Sequence, residues 1–488
     1  FLKYKDFKPY VDYFNSMEDE NIAQAIPNAR ASQWMEKNIP LFECSQKNFE
    51  EMYYYRWWTL RKHIKETPVG YGMTEFLVNR SYADKYNLIA CAIGHHIYES
   101  RWLRNPEYLN QIIHTWYRGN EGGPMAKMTK FSSWNADAVL GRYMVDGNKE
   151  FLLDMVKDLE AEYARWEKTN RLPNGLYWQG DVQDGMEESI SGGRRKQYAR
   201  PTINSYMYGN AKALSLIGIM TGDEGMAMKY GLKADSIKTL VQDKLWNTDH
   251  HFFETMRGDA SAEVREAIGY IPWYFNLPDA SSKYTVAWKE VMDEKGFSAP
   301  YGLTTAERRH PEFRTHGVGK CEWDGAIWPF ASAQTLTAMA NFMNNYPQTV
   351  LTDSVYFHQM ERYVESQHHR GRPYIGEYLD EVTGYWLKGD QERSRYYNHS
   401  TFNDLMITGL IGLRPRMDNT VEVNPLIPEG KWDYFCLDNV LYHGRNLTIL
   451  WDKDGSRYQR GKGLHIYVDG KEVGHSDTLT RVLCENVL

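Results

Sequence analysis

Amphipathic helical periodicity recurs along most of this sequence and restricts the chain to a mainly helical fold. Within residues 150–168 apolar side chains recur at spacings of three and four, which places them on one face of a helix. These side chains are Leu152, Met155, Val156, Leu159, Tyr163 and Trp166. Similar patterns predict helices over 204–221, 329–345, 354–367 and 401–413.

The connections between the predicted helices are long and rich in glycine and aromatic residues. The segments 177–200 and 307–328 are examples, and loops of this length in a compact enzyme are more often functional than idle. With 488 residues the chain exceeds the ~250–300 residues of an ordinary single domain. A helical toroid whose loops converge on a central cleft has this pattern, and an α-solenoid has it too.

The character of the sequence changes near Pro415. Strand-like segments follow at 447–451 and 464–468, and the pairs Asp454-Gly455 and Asp469-Gly470 are typical of hairpin turns. We therefore predict two parts: a helical region over 1–415, with a lead-in at about 1–50, and a small β module over 416–488. No β-α-β alternation and no glycine-rich phosphate loop occurs, which argues against a nucleotide-binding α/β fold.

The charge and the cysteine content exclude several classes of partner and site. The net charge is −7 and the densest basic tract is 194–196, so we expect no nucleic-acid partner. No apolar run reaches the ~18 residues of a membrane span. The five cysteines are isolated in sequence, which favours buried thiols over metal sites or a disulfide framework.

Neither a metal nor a cofactor is expected. The adjacent pair His95-His96 cannot face one ion from the same helix, and it is more typical of buried helix histidines. The chain starts at Phe1 without a methionine, as it would after removal of an export segment or in an expressed fragment. We expect a periplasmic or secreted location, although no signal peptide is present. The oligomeric state is left open.

Two acidic segments carry the candidate chemistry. Residues 181–188, DVQDGMEE, gather four acids in eight residues, and their mutual repulsion favours a raised pKa for one of them. A solvated acidic loop or a calcium loop is the alternative. Glu377 lies among aromatics and a glycine in 374–378, YIGEY, which suits a buried, oriented carboxylate. The alternative for Glu377 is a structural ion pair with Arg372 or Arg395.

Three motifs, in order, resemble the trehalase and processing-α-glucosidase group, glycoside hydrolase families 37 and 63 and their bacterial relatives. Residues 323–329, WDGAIWP, resemble the W-x-G-x-[IV]-W-P segment. Residues 185–189, GMEES, resemble G-[WM]-D-x-S, which supplies the general acid of that group. Residues 376–378, GEY, with Thr383-Gly384 after them, resemble the segment of the general base.

The resemblance implies an (α/α)6 toroid with a C-terminal β-sandwich, and inverting hydrolysis of α-linked sugars. It assigns Glu187 as acid, with Asp184 as runner-up, and Glu377 as base. Glu187 stands where the group usually has Asp, and the arginine that often follows is missing, although Arg194, Arg195 and Arg200 lie close by. Both departures put the substrate in doubt.

The remaining candidates are substrate-binding residues. Trp178 is a candidate for stacking on a sugar, and planar polar side chains beside it are candidates for bonding hydroxyls. Asp84 is placed like the early W-D segment of the group, in 81–85, SYADK, and His399 lies in the segment that follows the base. The full set is Asp84, Trp134, Trp178, Gln179, Asp181, Asp184, Trp323, Asp324, Trp328, Tyr378 and His399.

We therefore predict a glycosidase that acts on an oligosaccharide or glycan, exo-acting by analogy with pocket-type toroids. A polysaccharide lyase on the same toroid is one alternative, because residues 308–316 hold a basic cluster suited to neutralising a uronate. A toroid that binds glycan without catalysis is the other alternative, motivated by the glutamate at position 187.

Overall fold

A computed structural model describes residues 1–488. Helices dominate the first part of the chain. The α-helices are α1 (Lys8–Ser16), α2 (Asn28–Asn38), α3 (Lys47–Lys62), α4 (Ile93–Ser100), α5 (Pro106–Arg118), α6 (Asn135–Asp146), α7 (Lys149–Asn170), α8 (Pro201–Thr221), α9 (Glu224–Leu240), α10 (Ile271–Tyr274), α11 (Ser282–Thr285), α12 (Pro329–Asn345), α13 (Asp353–Ser366) and α14 (Asn403–Leu405).

The strands of the helical part are short and border its loops, whereas the longer strands lie near the C-terminus. They are β1 (Leu41–Cys44), β2 (Ile64–Thr67), β3 (Gly70–Met73), β4 (Trp178–Gln179), β5 (Tyr198–Ala199), β6 (Trp246–Asn247), β7 (Phe252–Phe253), β8 (Met256–Arg257), β9 (Ala260–Ser261), β10 (Ser298–Ala299), β11 (Gly302–Leu303), β12 (His368–His369), β13 (Arg372–Pro373), β14 (Val421–Val423), β15 (Tyr434–Tyr442), β16 (Arg445–Asp452), β17 (Gly463–Val468), β18 (Lys471–Ser476) and β19 (Val482–Cys484).

Four of the five predicted helices are confirmed within a few residues, as α7, α8, α12 and α13. The segment 401–413 is shorter than predicted: α14 continues only through a π-helical turn at Met406–Leu410. Its start is set by Glu99 on α4, whose carboxylate accepts the Asn403 N–H at 2.8 Å and the Asp404 N–H at 2.9 Å. Its end is set by Gly412, which adopts φ 84 and turns the chain away.

A five-stranded antiparallel sheet in the order β1-β15-β16-β17-β18 forms the centre of the C-terminal region. Asp469 (φ 48) and Gly470 (φ 78) form the predicted tight turn between β17 and β18. Strands β14 and β19 pair beside this sheet. The sheet-containing C-terminal region is thus confirmed. The boundary at 415/416 stays a prediction, and the sheet takes its edge strand β1 from the predicted lead-in.

The helical part and the sheet share one apolar core. Trp432, which is 1% exposed, lies 5.2 Å from Phe49 on α3 and 5.6 Å from Phe357 on α13, measured between ring centroids. Burial of such large aromatic surfaces is a major favourable contribution to folding, and these contacts join the sheet to the helices.

The remaining predictions from composition can be placed in the fold. All five cysteines are free, four of them buried and Cys321 partly buried, as the predicted thiols. His95 and His96 are buried in α4, and the Asn398 carbonyl accepts a hydrogen bond from His96 Nε2 at 2.7 Å. None of the helices combines the length and the apolar character that a membrane span requires.

A close contact between α4 and Trp134 supports a stability prediction. A Cβ atom built on Gly94 would lie 2.1 Å from Cε2 of Trp134, whose ring is fully buried. We expect Gly94→Ala to lower the free energy of unfolding by about 1–3 kcal/mol, because overpacking forces the backbone or the ring to move. The measurement is denaturant or thermal unfolding. The matched control is Gly225→Ala on α9, where the nearest atom is 3.5 Å away and no loss is expected. Equal stability of the Gly94→Ala protein and the parent would contradict this packing.

Candidate active site

The loop that follows β4 carries Glu187. Gly185 adopts φ 72 at the end of a short 3-10 turn, and a Cβ atom there would lie 3.2 Å from Cβ of Cys91. The left-handed backbone lets the chain reverse against Cys91, and the residues that follow include the buried Met186 and Ser189. Glu187 itself is partly exposed, so its carboxyl group lies at the boundary between the core and solvent.

Burial raises the pKa of Glu187 to about 7, and the charges of Glu377 and Asp181 raise it further, whereas Arg194 lowers it. A carboxyl group with this pKa keeps its proton through the slightly acidic range. This property suits a general acid.

Glu377 lies in the loop between β13 and the C-terminal helical turns and is 4% exposed. Its carboxylate is 3.4 Å from Arg393 Nη2 and 3.7 Å from Lys388 Nζ. The alternative partners considered from the sequence, Arg372 and Arg395, do not pair with it. The charge of this buried carboxylate is therefore compensated by two cations.

Backbone pairing holds Glu377 beside the WDGAIWP segment. Leu379 and Ile327 exchange two backbone hydrogen bonds of 3.0 Å. The charge of Glu377 contributes to the raised pKa of Glu187, although the two residues are far apart in the sequence. Cys321 is a third member, since burial and then the charges of these same two glutamates raise its pKa to about 12.

Asp184, the runner-up for the acid, is fully buried and engaged in structure. Its Oδ2 atom is 2.6 Å from Nε of Arg200 and also accepts from the Thr202 hydroxyl, while Ser132 donates to Oδ1. Both oxygens therefore accept hydrogen bonds from neighbours, and the group has no free face for a substrate. Glu188 turns outward and pairs with Arg194 at 2.9 Å. These two pairings account for half of the predicted acidic cluster without a calcium ion.

An aromatic stack lines the segment beside Glu377. Trp323 and Trp328 stack with ring centroids 4.4 Å apart, and Trp328 and Tyr378 stack at 4.6 Å. Lys388 lies 5.1 Å from the Tyr378 ring centroid, so the stack also supports a cation that pairs with Glu377. All three rings are buried by one another. Their stacking on a sugar stays a prediction.

Asp324 and Asp84, two of the predicted binding residues, stabilise loops through hydrogen bonds to backbone N–H groups. Asp324 accepts the backbone N–H groups of His316 at 2.6 Å and Gly317 at 2.9 Å, which folds the loop before the stack. Asp84 accepts the N–H of Lys85 at 2.8 Å and that of Lys127.

Three predicted residues sit on or near the strand that precedes the acid, and one lies elsewhere. Trp178 is partly exposed, and Gln179 is buried with Oε1 accepting the Gly180 N–H at 3.1 Å. Asp181 is buried, and its charge contributes to the raised pKa of Glu187. Trp134 is fully buried among helices, and its Nε1 donates to the Tyr274 hydroxyl at 3.2 Å. Trp134 is therefore a core side chain. Binding roles for these four residues stay predictions.

Sequence reasoning missed Glu75, which follows β3 and is 3% exposed. Its carboxyl group accepts from the Tyr397 hydroxyl at 2.6 Å and from the Cys91 thiol at 3.3 Å. The predicted residue His399 lies beside it, with Nδ1 3.8 Å from Oε1. The only signal in the sequence is a single acid within the otherwise uncharged segment 70–79, and such a residue is usually unremarkable.

The basic cluster that motivated the lyase alternative is neutralised locally. Arg309 pairs with Glu290 at 2.9 Å, and Arg314 pairs with Glu322 at 3.1 Å. His316 pairs with Glu312 at 2.8 Å. These cations hold loops together, and none of these pairings involves the carboxyl groups of Glu187 or Glu377.

His250, Glu254 and Glu263 form a group in which the possible ligand atoms lie within 4.8 Å of one another. His250 Nδ1 is 2.6 Å from Glu254 Oε1, and Asn247 donates to Glu254 Oε2 at 2.9 Å. These internal bonds account for the geometry of the group without an ion.

Asp184 and Glu188, two acids of the loop before Arg194, are predicted to contribute unequally to stability. We expect Asp184→Asn to lower the free energy of unfolding by about 3–5 kcal/mol, because it leaves the buried Arg200 guanidinium uncompensated. The control Glu188→Gln removes a surface pair and is expected to cost less than about 1 kcal/mol. Urea unfolding of both variants makes the comparison. A wild-type midpoint for Asp184→Asn would show that the buried pair does not anchor this loop.

Comparisons with known proteins identify the family of this chain. A family model described as a mannosylglycerate hydrolase MGH1-like glycoside hydrolase domain matches residues 85–400, and the glycosyl hydrolase family 65 C-terminal domain matches residues 413–475. A solved chain named sialidase is 83% identical with a TM-score of 0.99; the match covers 100% of this chain and 45% of that one. The present chain therefore spans less than half of that relative.

More distant structures share the fold. The GH63 mannosylglycerate hydrolase from Thermus thermophilus is 12% identical with a TM-score of 0.53, over 73% of this chain and 99% of that one. A GH78 family rhamnosidase of Bacillus sp. GL1 is 11% identical with a TM-score of 0.55, over 85% of this chain and 40% of that one. The resemblance to the group that includes family 63 is thus confirmed. By its match over residues 85–400, the chain belongs to the MGH1-like glycoside hydrolase family.

Proposed function

We propose that this chain is an inverting, exo-acting glycosidase that removes a terminal sugar from an oligosaccharide or glycan. Glu187 is the general acid and Glu377 the general base. One observation carries the proposal: burial and the charge of Glu377 raise the pKa of Glu187 to about 7, and Glu377 itself lies within 4 Å of the cations Lys388 and Arg393. Two carboxyl groups in such different environments are typical of an acid and base pair.

The reaction follows from these states. Glu187 donates its proton to the glycosidic oxygen as the bond to the anomeric carbon breaks. Glu377 takes a proton from a water molecule that attacks this carbon from the opposite face, so the anomeric configuration inverts. A pair of this type stands ~6.5–9.5 Å apart to leave room for the water. Glu187 then regains a proton from solvent and Glu377 releases one, which restores the starting charges.

For the architecture we propose the (α/α)6 toroid, with the loops that bear Glu187 and Glu377 converging on its central cleft. The fold likeness to a GH63 hydrolase supports this arrangement. So does the origin of the site residues, which come from loops before α4, after β4 and after β13. The C-terminal sheet, joined to α3 and α13 through Trp432, stabilises the outer side of this scaffold.

The substrate can be identified by screening several classes of glycoside. The names of the relatives refer to sialosides, mannosylglycerate and rhamnosides, which are chemically different sugars. A lyase is disfavoured because its basic cluster is paired with acids away from Glu187 and Glu377. A binding protein without catalysis is disfavoured because Glu187, although not an aspartate, has the pKa that an acid needs.

The catalytic assignment is tested with Glu187→Gln and Glu377→Gln on a panel of α-mannosides, α-L-rhamnosides, α-glucosides and sialosides. Each variant should lose about 10²–10⁴-fold in kcat on the sugar that the parent cleaves, because proton transfer is removed. Glu188→Gln, the adjacent surface acid, should stay within about twofold at pH 6. Turnover that survives in both active-site variants would remove these residues from the mechanism, and failure to cleave any glycan would favour the binding protein.

Stereochemistry is read by NMR during the first minutes of turnover, before mutarotation. The first sugar released should have the anomeric configuration opposite to that of the substrate, since one displacement by water inverts the carbon. A retained configuration would require a covalent intermediate and would overturn the base role of Glu377.

The pH profile gives an independent check of the acid. Activity should fall as pH rises through about 7, where Glu187 loses the proton that it must donate. Arg194 lowers the pKa of Glu187, so Arg194→Gln should move this alkaline limb to higher pH. Lys196→Gln removes a nearby exposed cation that has no such effect, and serves as the control. A shift to lower pH in the Arg194 variant would contradict the assignment of the limb to Glu187.

A further inference from the structure

An open pocket with a volume of about 440 Å³ lies between α2 and the start of α5. None of the residues that line it belongs to the loops of Glu187 or Glu377. One wall is a stripe along α2, whose members recur at spacings of three and four and therefore share one face of the helix. They are Arg30, Gln33, Trp34 and Lys37.

The opposite wall is the segment that leads into α5, and hydrogen bonds join it to the rest of the protein. The Arg104 N–H donates to the Asn38 carbonyl at 2.9 Å, at the end of α2. The Arg104 side chain reaches the C-terminal sheet, where Nη1 donates to the Asn439 carbonyl at 2.8 Å and to Asn446 Oδ1 at 3.0 Å. The pocket is therefore a built part of the fold, bounded by two helices and braced by the sheet.

Three cations line the pocket, and no aspartate or glutamate does. These cations are Arg30, Lys37 and Arg104, and none of them forms an ion pair within the chain, although the protein has a net charge of −7. Burial lowers the pKa of Arg104, and no neighbouring acid raises it again. Because the guanidinium group of Arg104 uses only Nη1 toward the sheet, Nη2 and Nε remain available to a ligand.

The N-terminus of α5 adds to this positive potential. The helix runs for 13 residues from Pro106, and the lining residue Asn105 caps it by accepting the Glu107 N–H at 3.1 Å. The first turn of such a helix carries a partial positive charge of roughly half an elementary charge, which favours a nearby anion. Side chains and helix therefore select for the same ligand chemistry, an oxyanion.

The size and the remaining residues of the pocket favour an oxyanion that is carried on a sugar. The volume lies within the range of roughly 300–1,000 Å³ that is typical of sites for small organic molecules. The half-buried ring of Tyr108 lines it, and Tyr71 and Trp34 hold this ring at centroid distances of 5.0 and 6.0 Å. An aromatic ring beside amide side chains, here those of Gln33 and Asn105, suits the apolar face and the hydroxyl groups of a sugar.

We propose that this pocket binds an acidic sugar, whose carboxylate or sulfate group is held by Arg30, Lys37 and Arg104 and whose ring lies against Tyr108. The site is separate from the acid and base proposed above and does not depend on that assignment. It gives the protein a second place to hold a glycan, one that recognises negative charge.

Four probes test the charge and the sugar ring separately. They are D-glucuronate, glucose 6-sulfate, glucose and inorganic sulfate, each titrated against the whole chain by ligand-observed NMR at pH 7. At least one acidic sugar should bind about tenfold more tightly than glucose, because charge-assisted hydrogen bonds are roughly twice as strong as neutral ones. The two acidic sugars distinguish a carboxylate site from a sulfate site. If neither binds, the proposal is overturned, and inorganic sulfate that binds as tightly as they do would indicate an adventitious ion only and also overturn it.

Substitutions on α2 show whether this pocket, and not the catalytic cleft, holds the acidic sugar. Arg30 and Lys37 are exposed, so replacing them does not disturb the core. Arg30→Gln combined with Lys37→Gln should weaken the acidic sugar about tenfold, since each removes a partly screened attraction worth about 0.2–1 kcal/mol. Lys37→Arg should stay within about twofold, because the charge is kept. An unchanged affinity in the double variant overturns the proposal.

Lys157 on α7 is the matched control, because it is an exposed cation on another helix and does not line the pocket. Lys157→Gln should leave the affinity for the acidic sugar unchanged. An equal loss in Lys157→Gln and in the double variant would mean that the overall charge of the protein, and not the pocket, determines binding, and would overturn the proposal.

Salt and glucose provide two further readouts of the same site. Raising NaCl from about 10 mM to about 150 mM shortens the Debye length from ~30 Å to ~8 Å, so the affinity for the acidic sugar should fall in the parent. It should fall much less in the double variant, which lacks two of the three cations. Glucose should bind the parent and the double variant equally. A loss of glucose affinity as large as that of the acidic sugar would show that the pocket does not recognise charge.

Discussion

Unequal charge compensation among neighbouring carboxyl groups is the interaction on which the site depends. Lys388 and Arg393 lie within 4 Å of Glu377, whereas Glu75 has no cation and Glu187 has only the more distant influence of Arg194. In a partly desolvated cleft, a carboxylate without a partner is unstable relative to its protonated form. Burial therefore raises the pKa of both Glu75 and Glu187.

Other charged residues near the site form structural ion pairs and hydrogen bonds that hold its loops in place. Asp184 and Arg200 neutralise each other at full burial beneath the acid loop, and Asp324 folds the loop before the aromatic stack through two backbone N–H groups. The paired backbones of Ile327 and Leu379 then hold Glu377 against this stack. Such anchors are costly to form inside a protein, but they fix the reacting groups on rigid elements.

Membership of the MGH1-like glycoside hydrolase family agrees with a helical scaffold whose loops carry the site. Structures only 11–12% identical retain the fold, while their names refer to different sugars.

Local patterns in the sequence determined most of the secondary structure and the two acidic segments. The helices at α7, α8, α12 and α13 follow from apolar spacing, because the helical period depends only on neighbouring residues. The turn at Asp469-Gly470 follows from the backbone preferences of those two residues. Motif order was enough to single out Glu187 and Glu377 and to indicate the family.

Tertiary structure alone decided what each acid contacts. Asp184 and Glu187 are three positions apart and equally acidic in sequence, but only the fold buries the first against Arg200 and brings the second under the influence of the Glu377 charge. Glu75 carried no recognisable pattern, since its significance comes from residues some three hundred positions away, Glu377, Tyr397 and His399. Electrostatic and hydrogen-bond environments are sums over spatial neighbours, and one-dimensional spacing does not contain them.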